Sequence, residues 1–138
     1  MDNHTIVIAE AGVNHNGSID MAKQLIDAAS EAGVDYVKFQ TFKAGNLVTK
    51  SAAKAEYQKR NIDDNDNSQY AMLKKLELSS EWHFELIDYC TQRGVSFFST
   101  AFDLDSADFL SSARICLIAK FSGKYAIAIE MYCPLSVS

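Results

Sequence analysis

Hydrophobic and polar positions along the chain form the same pattern three times. A short apolar run ends in polar residues, and a stretch with apolar residues at helical spacing follows it. The three runs predict strands at 5–10, 34–40 and 95–100. Strands that alternate with helices predict a parallel sheet with right-handed crossovers, and therefore an α/β fold.

Capping residues mark the helices between these strands. Ser18 is placed to cap the first helix, and Ser79 or Ser80 to cap the second. A short third helix is predicted at 103–110. The sequence therefore shows three strand–helix units, whereas a closed parallel α/β barrel needs about eight.

The connection that follows the second strand, residues 41–67, is much longer than the ~2–6 residues usual for such loops. We predict a helical piece near 52–60 and a polar turn at 63–67. Between residues 41 and 60 it has one acidic residue, Glu56, against the basic residues Lys43, Lys50, Lys54, Lys59 and Arg60. Two interpretations stay open: a solvated charged helix, or a lid whose positive charge attracts an anionic substrate.

Size and charge exclude several classes of function. With 138 residues the chain is long enough for one domain with a sizeable core. Its net charge of −5 gives no general attraction to nucleic acid or to an anionic membrane. The first residues lack the features of a secretory signal, and no apolar run approaches the ~20 residues of a membrane helix. We therefore expect a cytoplasmic protein with no nucleic-acid or membrane partner.

The cysteines and histidines show no metal-binding spacing. Cys90, Cys116 and Cys133 are far apart, which argues against a disulfide scaffold and a structural zinc site. The histidines show no HxxxH spacing. The sequence therefore predicts no metal ligands.

Polar residues at the strand ends are the candidates for chemistry, because active sites of parallel α/β barrels form there. Glu10 and Lys38 end apolar strands, where charges are rare unless they are paired or functional. Gln40 follows Lys38 by two residues and so points the same way. Asn14 and His15 lie in the loop after the first strand, where ligand contacts are expected.

Each candidate also has a purely structural interpretation. Glu10 could be a buried partner of the turn at 14–15, and the loop residues could be turn formers only. Ser99 and Thr100, at the end of the third strand, either cap the next segment or meet a substrate oxygen with their hydroxyls.

Several segments resemble motifs of the sialic acid synthase family. The main ones are IAEAGVNHNG at 8–17, VKFQTF at 37–42 and FSTAFD at 98–103. Residues 54–58 and 72–78 are also typical of the bacterial members. These motifs occur in the family's order across roughly residues 5–110, and they are specific to it.

The resemblance implies the N-terminal three βα units of a (β/α)8 TIM barrel. In this family C3 of phosphoenolpyruvate attacks the open-chain aldehyde of N-acetylmannosamine or a related 2-acetamido sugar. A divalent metal, Mn²⁺ or Mg²⁺, polarises the aldehyde, and the metal ligands are not present in this chain. Water then adds at C2 and phosphate leaves, which gives a nonulosonic acid. The full-length family is homodimeric.

The resemblance also implies residue roles. Glu10 would be the catalytic residue near the sugar and the reacting centre. Lys38 would bind phosphoenolpyruvate, Gln40 would contact substrate, and Thr100 would line the phosphoenolpyruvate pocket.

After Leu110 the resemblance stops. We therefore expect a partial barrel domain at 1–110 and a non-family tail at 111–138 that arises from truncation or a shifted reading frame. Two alternatives to the synthase interpretation stay open. One is another phosphoenolpyruvate-dependent barrel synthase that acts on an aldose phosphate, and the other is a truncated fragment without catalytic activity.

Overall fold

Four parallel strands form one sheet in the order β1-β2-β3-β4. The computed structural model describes residues 4–48, 65–115 and 117–119, with side chains for all of these except 65–68 and 117–119. The strands are β1 (Ile8–Gly12), β2 (Tyr36–Thr41), β3 (Ser96–Ala101) and β4 (Leu117–Ala119). Since strand order equals chain order, each crossover moves the chain to the next position in the sheet. The predicted α/β fold is confirmed.

Helices connect these strands and carry the predicted caps. They are α1 (Ile19–Glu31), α2 (Ala44–Leu47), α3 (Asn65–Leu76), α4 (Ser80–Gln92) and α5 (Leu104–Ser112). The Ser18 side chain accepts a hydrogen bond from the Met21 amide, and the Ser79 side chain accepts one from the Trp82 amide. Each cap satisfies a backbone donor that the first helical turn leaves unpaired.

The core lies between the sheet and the helices. In β2 the residues Val37, Phe39 and Thr41 are buried, while the alternating residues are half-buried. The Phe39 and Phe97 rings stack with their centroids 5.4 Å apart, against the buried side chains of Ile26 and Leu86. This period-2 alternation leaves the other face of the sheet for polar side chains.

Helices α1 and α4 are joined by polar contacts on the outer side. Lys23 Nζ lies 2.6 Å from Glu85 Oε1, and Arg93 Nε lies 2.7 Å from Asp27 Oδ1. The Tyr89 hydroxyl also donates to Asp27, over 2.8 Å. These contacts fix the two helices side by side behind β1 to β3.

The connection after β2 differs from its prediction. The helical piece predicted at 52–60 lies outside the described residues. The polar turn predicted at 63–67 is wrong for residues 65–67, which begin α3. Helix α3 escaped prediction because its apolar residues do not form a clear stripe: Tyr70 and Met72 are both exposed.

A fourth strand adds to the three that the hydrophobic pattern predicted. Strand β4 lies beyond Leu110 and pairs in parallel with β3, and Ile115 just before it is buried in the core. A strand of three residues is too short to show a period-2 pattern in the sequence. Part of the predicted tail therefore belongs to the same sheet.

Candidate active site at the strand ends

An ion pair joins the ends of the first two strands. Lys38 Nζ lies 2.7 Å from Glu10 Oε2, and the two residues are register partners in β1 and β2. The Glu10 side chain is 49% exposed and that of Lys38 is 28% exposed. A pair this open to solvent typically contributes only ~0–1 kcal/mol to stability. Stability alone therefore does not account for the two charges, and both stay accessible to a ligand.

Gly12 brings Gln40 close to this pair. The φ angle of Gly12 is +56°, and the register of β1 against β2 shifts between Glu10 and Gly12. A Cβ atom at position 12 would lie 3.2 Å from Glu10 Oε1 and 3.4 Å from Gln40 Nε2. The carboxylate and the amide thus border the same small space, which a glycine leaves open.

Strand β3 adds Thr100 on the same face. Thr100 is the register partner of Gln40, just as Phe98 is the register partner of Lys38. Paired residues of neighbouring parallel strands share a face of the sheet. The structure therefore brings together a carboxylate, an ammonium, an amide and a hydroxyl, contributed by three successive strands.

Ser99 faces the opposite side of the sheet. Its side chain is fully buried, and its hydroxyl lies 2.6 Å from Thr41 Oγ1 on the side that faces the helices. Since successive residues of a strand alternate between faces, Ser99 does not join the group around Thr100. A direct substrate contact by Ser99 stays a prediction.

The loop after β1 places Asn14 at the surface and His15 in the interior. The Asn14 amide donates to the Ala11 carbonyl over 3.0 Å, and the Asn14 residue is exposed. The His15 ring is fully buried, with its centroid 6.4 Å from that of Phe39. Substrate contacts by these two loop residues also stay predictions.

The protonation of His15 follows from its contacts. Its Nδ1 accepts a hydrogen bond from the Gly17 amide over 3.1 Å, and its Nε2 finds no hydrogen-bond partner in the described part of the chain. Burial lowers the pKa of His15, so the ring is neutral near pH 7. In this state Nδ1 is the acceptor and Nε2 carries the proton.

The same loop lies against the end of α3. Gly17 has a φ angle of +77°, and a Cβ atom there would lie 2.5 Å from the Lys75 carbonyl oxygen. Only a glycine fits at this position unless the backbone of α3 moves. The last turn of α3 therefore supports the first βα loop from outside.

Asp103 is the residue whose role the sequence analysis missed. It caps α5 by accepting from the Ser106 amide over 2.9 Å, and it also accepts from the Lys43 amide over 2.8 Å and from Asn46 Nδ2 over 3.2 Å. Burial raises the pKa of this carboxyl, but the hydrogen bonds from Lys43, Ser106 and Asn46 outweigh it, and the pKa is lowered. The ionised carboxylate ties the segment after β2 to the end of β3.

A signal for Asp103 exists in the sequence. An aspartate before a helix, with a serine three residues on, is a common N-cap pattern. The bonds to residues 43 and 46 have no such signal, because they depend on how β2 and β3 lie side by side.

A divalent metal does not fit the described residues. Within residues 4–48 and 65–115 no group of three or more His, Cys, Asp or Glu side chains could hold a metal ion. Glu10, the carboxylate at the strand ends, is engaged by Lys38.

No helix in the described segments is both long enough and apolar enough to cross a membrane.

Sequence comparisons match the chain to one family. The sequence model of the NeuB family matches residues 25–128. The chain is 56% identical over 109 residues to N,N'-diacetyllegionaminic acid synthase from Legionella pneumophila, with 79% of this chain and 30% of that protein covered. It is 46% identical over 120 residues to the protein of the same name from Campylobacter jejuni, with 87% and 36% covered.

Structural comparisons agree. The spore coat polysaccharide biosynthesis protein SpsE from Bacillus subtilis superposes with a TM-score of 0.60 at 39% identity, over 86% of this chain and 30% of that one. The N-acetylneuraminic acid synthetase from Leptospira borgpetersenii superposes with a TM-score of 0.65 at 22% identity, over 85% and 39%, which shows a shared fold.

The chain matches only part of each relative. The chain spans about a third of the length of these relatives, from 30% to 39%. The NeuB match runs past Leu110 to residue 128, so the domain boundary at Leu110 stays a prediction. Because the NeuB match covers most of the chain, and because two relatives share about half of the aligned residues, this chain belongs to the NeuB family.

Proposed function

We propose that this chain supplies the first strands of a (β/α)8-barrel synthase that condenses phosphoenolpyruvate with a 2-acetamido sugar. The products are a nonulosonic acid and phosphate. The proposal rests on the solvent-accessible Glu10–Lys38 ion pair in a chain of the NeuB family. The Gln40 amide borders the same small space next to Gly12. Active sites of parallel α/β barrels are formed by polar and charged side chains at the carboxyl ends of the strands.

Lys38 is proposed to hold an anionic group of phosphoenolpyruvate. A lysine ammonium acts as a point charge for phosphate or carboxylate groups. Without a ligand, Glu10 Oε2 neutralises this charge at 2.7 Å. An incoming anion therefore has to share Lys38 with Glu10 or displace it, which couples anion binding to the position of the carboxylate.

Glu10 is proposed to act on the sugar side of the reaction. Its second oxygen, Oε1, lies beside Gly12 and near Gln40 Nε2 instead of pointing at Lys38. A carboxylate oxygen in that position can accept hydrogen bonds from sugar hydroxyls or take up a proton. Gln40 and Thr100 complete the wall of the site with an amide and a hydroxyl.

The sugar is proposed to carry two acetamido groups. The relatives at 56% and 46% identity are both named for N,N'-diacetyllegionaminic acid, a product with two N-acetyl groups. N-acetylmannosamine, with one such group, is the alternative. The proposed metal, Mn²⁺ or Mg²⁺, the homodimer and a cytoplasmic location rest on family membership alone.

A chimera tests the proposal. Residues 1–112, through the end of α5, replace the matching part of the Legionella pneumophila relative, and phosphate release is measured with phosphoenolpyruvate and each sugar. We expect release with a diacetamido sugar and much less with N-acetylmannosamine. A folded chimera that is inactive with every 2-acetamido sugar contradicts the proposal.

The same assay distinguishes the proposed synthase from a phosphoenolpyruvate-dependent synthase that acts on an aldose phosphate. A synthase that acts on an aldose phosphate requires a phosphorylated acceptor, so the panel includes an aldose phosphate. Release with that acceptor alone would replace the 2-acetamido assignment.

A further inference from the structure

A line of buried hydrogen bonds lies directly behind the strand ends. Ser99 Oγ is 2.6 Å from Thr41 Oγ1, and Thr41 Oγ1 is 2.8 Å from His83 Nε2. His83 Nδ1 is 2.7 Å from the Ser79 carbonyl oxygen. We call this line the Ser99–Thr41–His83 relay. Its three side chains are 0%, 3% and 1% exposed.

The contacts fix the direction of every hydrogen bond in the relay. The Ser79 carbonyl only accepts, so His83 Nδ1 carries the ring proton and Nε2 of the neutral ring accepts. The Thr41 hydroxyl must donate to Nε2, and its own oxygen then accepts from the Ser99 hydroxyl over 2.6 Å, with the Phe39 carbonyl as a longer second acceptor for Ser99 at 3.3 Å. No donor in the relay is left without an acceptor.

The neutral ring is consistent with the surroundings of His83. Burial lowers the pKa of His83, the bond to the Ser79 carbonyl raises it, and the charge of Lys43 lowers it, with a net lowering. The other neighbours are the ring edges of Phe97 and Phe109, which carry no charge. Lys43 is thus the charged group that acts on His83 among the described residues.

On both β2 and β3, the relay residue is the direct chain neighbour of a candidate site residue. Thr41 follows Gln40 directly, and Ser99 precedes Thr100 directly, while Gln40 and Thr100 are register partners. A hydrogen bond between the two hydroxyls on the helix side therefore fixes how β2 and β3 present these partners on the other side. Further back in the same strands, this face of the sheet is filled by apolar side chains such as Val37 and Phe97.

We propose that His83 is a positioning residue: through Thr41 and Ser99 it holds Gln40 and Thr100 in the arrangement that binds the substrate anion. The part that concerns the anion rests on the proposed function, whereas the positioning itself does not. Ser99 then acts from behind the site, without touching substrate.

The positioning is tested in the full 138-residue chain by NMR, without any ligand. Thr41→Val removes the hydroxyl and keeps the side-chain shape, whereas Thr41→Ser keeps the hydroxyl. Tyr89→Phe is the matched control, because it removes a hydroxyl bonded to Asp27 between helices, away from the relay. If Thr41→Val does not fold, Ser99→Ala replaces it as a milder variant. It removes the Ser99–Thr41 bond and leaves the Thr41–His83 bond in place.

Three signals report on the relay. The ring ¹⁵N shifts of His83 should show the proton on Nδ1 in the parent and in Thr41→Ser, and a mixture in Thr41→Val. The Phe102 amide, which donates to the Thr41 carbonyl over 3.0 Å, should exchange about tenfold faster in Thr41→Val than in Tyr89→Phe. The chemical shifts of the Gln40 side-chain amide and the Thr100 methyl, which belong to register partners, should change in Thr41→Val and stay near the parent values in Thr41→Ser and Tyr89→Phe. Equal signals in Thr41→Val and Tyr89→Phe would overturn the inference.

Titration of the Legionella pneumophila chimera described above, which carries the rest of that relative's chain, with phosphoenolpyruvate separates this inference from the proposed function; the parent here is the chimera without further substitutions. We expect the dissociation constant, read from the Gln40 side-chain amide, to rise about tenfold in Thr41→Val and to stay near the parent value in Thr41→Ser. If the parent binds and Thr41→Val binds equally well, the positioning inference fails and the site survives. If the parent does not bind but the three ligand-free signals change as stated, the proposed role of the site in anion binding fails and the positioning survives.

Discussion

Lys38 and Glu10 are register partners whose charged groups lie 2.7 Å apart across β1 and β2. A second ion pair, between Lys23 and Glu85, joins α1 to α4 with its charged atoms 2.6 Å apart. The side chains of Lys23 and Glu85 are 28% and 48% exposed, almost the same as the 28% of Lys38 and the 49% of Glu10. Pairs alike in distance and exposure should contribute alike to stability as ion pairs, although Lys23 Nζ also lies 5.5 Å from the centroid of the Tyr89 ring. The helix pair is therefore a matched control for the strand-end pair.

Lys38→Ala in the chimera should weaken phosphoenolpyruvate binding. Losing one partner of a desolvated charge contact typically costs about 2–5 kcal/mol, and the exposure of Lys38 puts the expected loss at the low end. The dissociation constant is measured by calorimetry. Lys23→Ala should bind as the parent does, and identical affinities in Lys38→Ala and Lys23→Ala would contradict the role of Lys38.

Glu10→Gln should impair sugar use or turnover and leave phosphoenolpyruvate affinity at least as high as in the parent. The substitution keeps the shape of the side chain but removes the charge that neutralises Lys38, so the ammonium becomes more available to an anion. Separate KM values for both substrates and kcat provide the measurement. Glu85→Gln is the control, and a selective loss of phosphoenolpyruvate affinity in Glu10→Gln would reverse the assignment of the two residues.

Gly12→Ala should damage the site beyond its effect on stability. Both Gly12 and Gly33 have positive φ angles, +56° and +72°, where a side chain costs roughly 1–2 kcal/mol. A Cβ atom at Gly33 would meet nothing within 4 Å, whereas one at Gly12 would lie 3.2 Å from Glu10 Oε1. Urea unfolding should show similar losses in both variants, and ligand titration should show weaker binding in Gly12→Ala only.

Asp103→Ala should destabilise the fold more than removal of an ordinary cap. Loss of a cap typically costs about 0.5–2 kcal/mol, and Ser79→Ala measures that effect at α4. Asp103 also accepts from Lys43 and Asn46, so its removal frees the segment after β2 as well. Denaturant unfolding of both variants gives the comparison, and equal losses would show that the extra bonds contribute nothing.

Acid should destabilise the protein through its buried histidines. Burial lowers the pKa of His15 and of His83 below the ordinary value of 6.5, so the unfolded chain binds these protons more readily than the folded one. Stability should be constant above that value and should fall as the pH drops below it, until each folded-state pKa is reached. Unfolding free energies at several pH values from about 8 to 5 test this, and a flat profile would contradict it.

The sequence predicted the elements whose signal is local. The strands around Val37 and Phe97 have strong apolar runs, and Ser18 and Ser79 have cap patterns that need only a few neighbouring residues. Glu10, Lys38 and Gln40 could be placed at one edge because parallel strands end together. These inferences need only short stretches of sequence and the general rule that parallel strands end at one edge of the sheet.

What the sequence did not reveal depends on contacts between elements. Ser99 and Thr100 are successive strand residues and so face opposite sides, but only the contacts of the structure show that Ser99 is the one that faces the helices. From the sequence, His83 is expected to be a partly packed helix residue without a chemical role, and its bond to Thr41, in a strand far away in the chain, has no sequence signal. Helix α3 has a weak stripe, because few of its side chains reach the core.

The contact between Gly17 and the Lys75 carbonyl also constrains the order of folding during synthesis. Chains emerge from the ribosome with the N-terminus first. The loop that follows β1 therefore exists for some time before the α3 turn that supports it has been made. Its final conformation has to wait until the chain has been synthesised through Lys75, so the first loop of this fold is completed well after the strand and the helix on either side of it have been made.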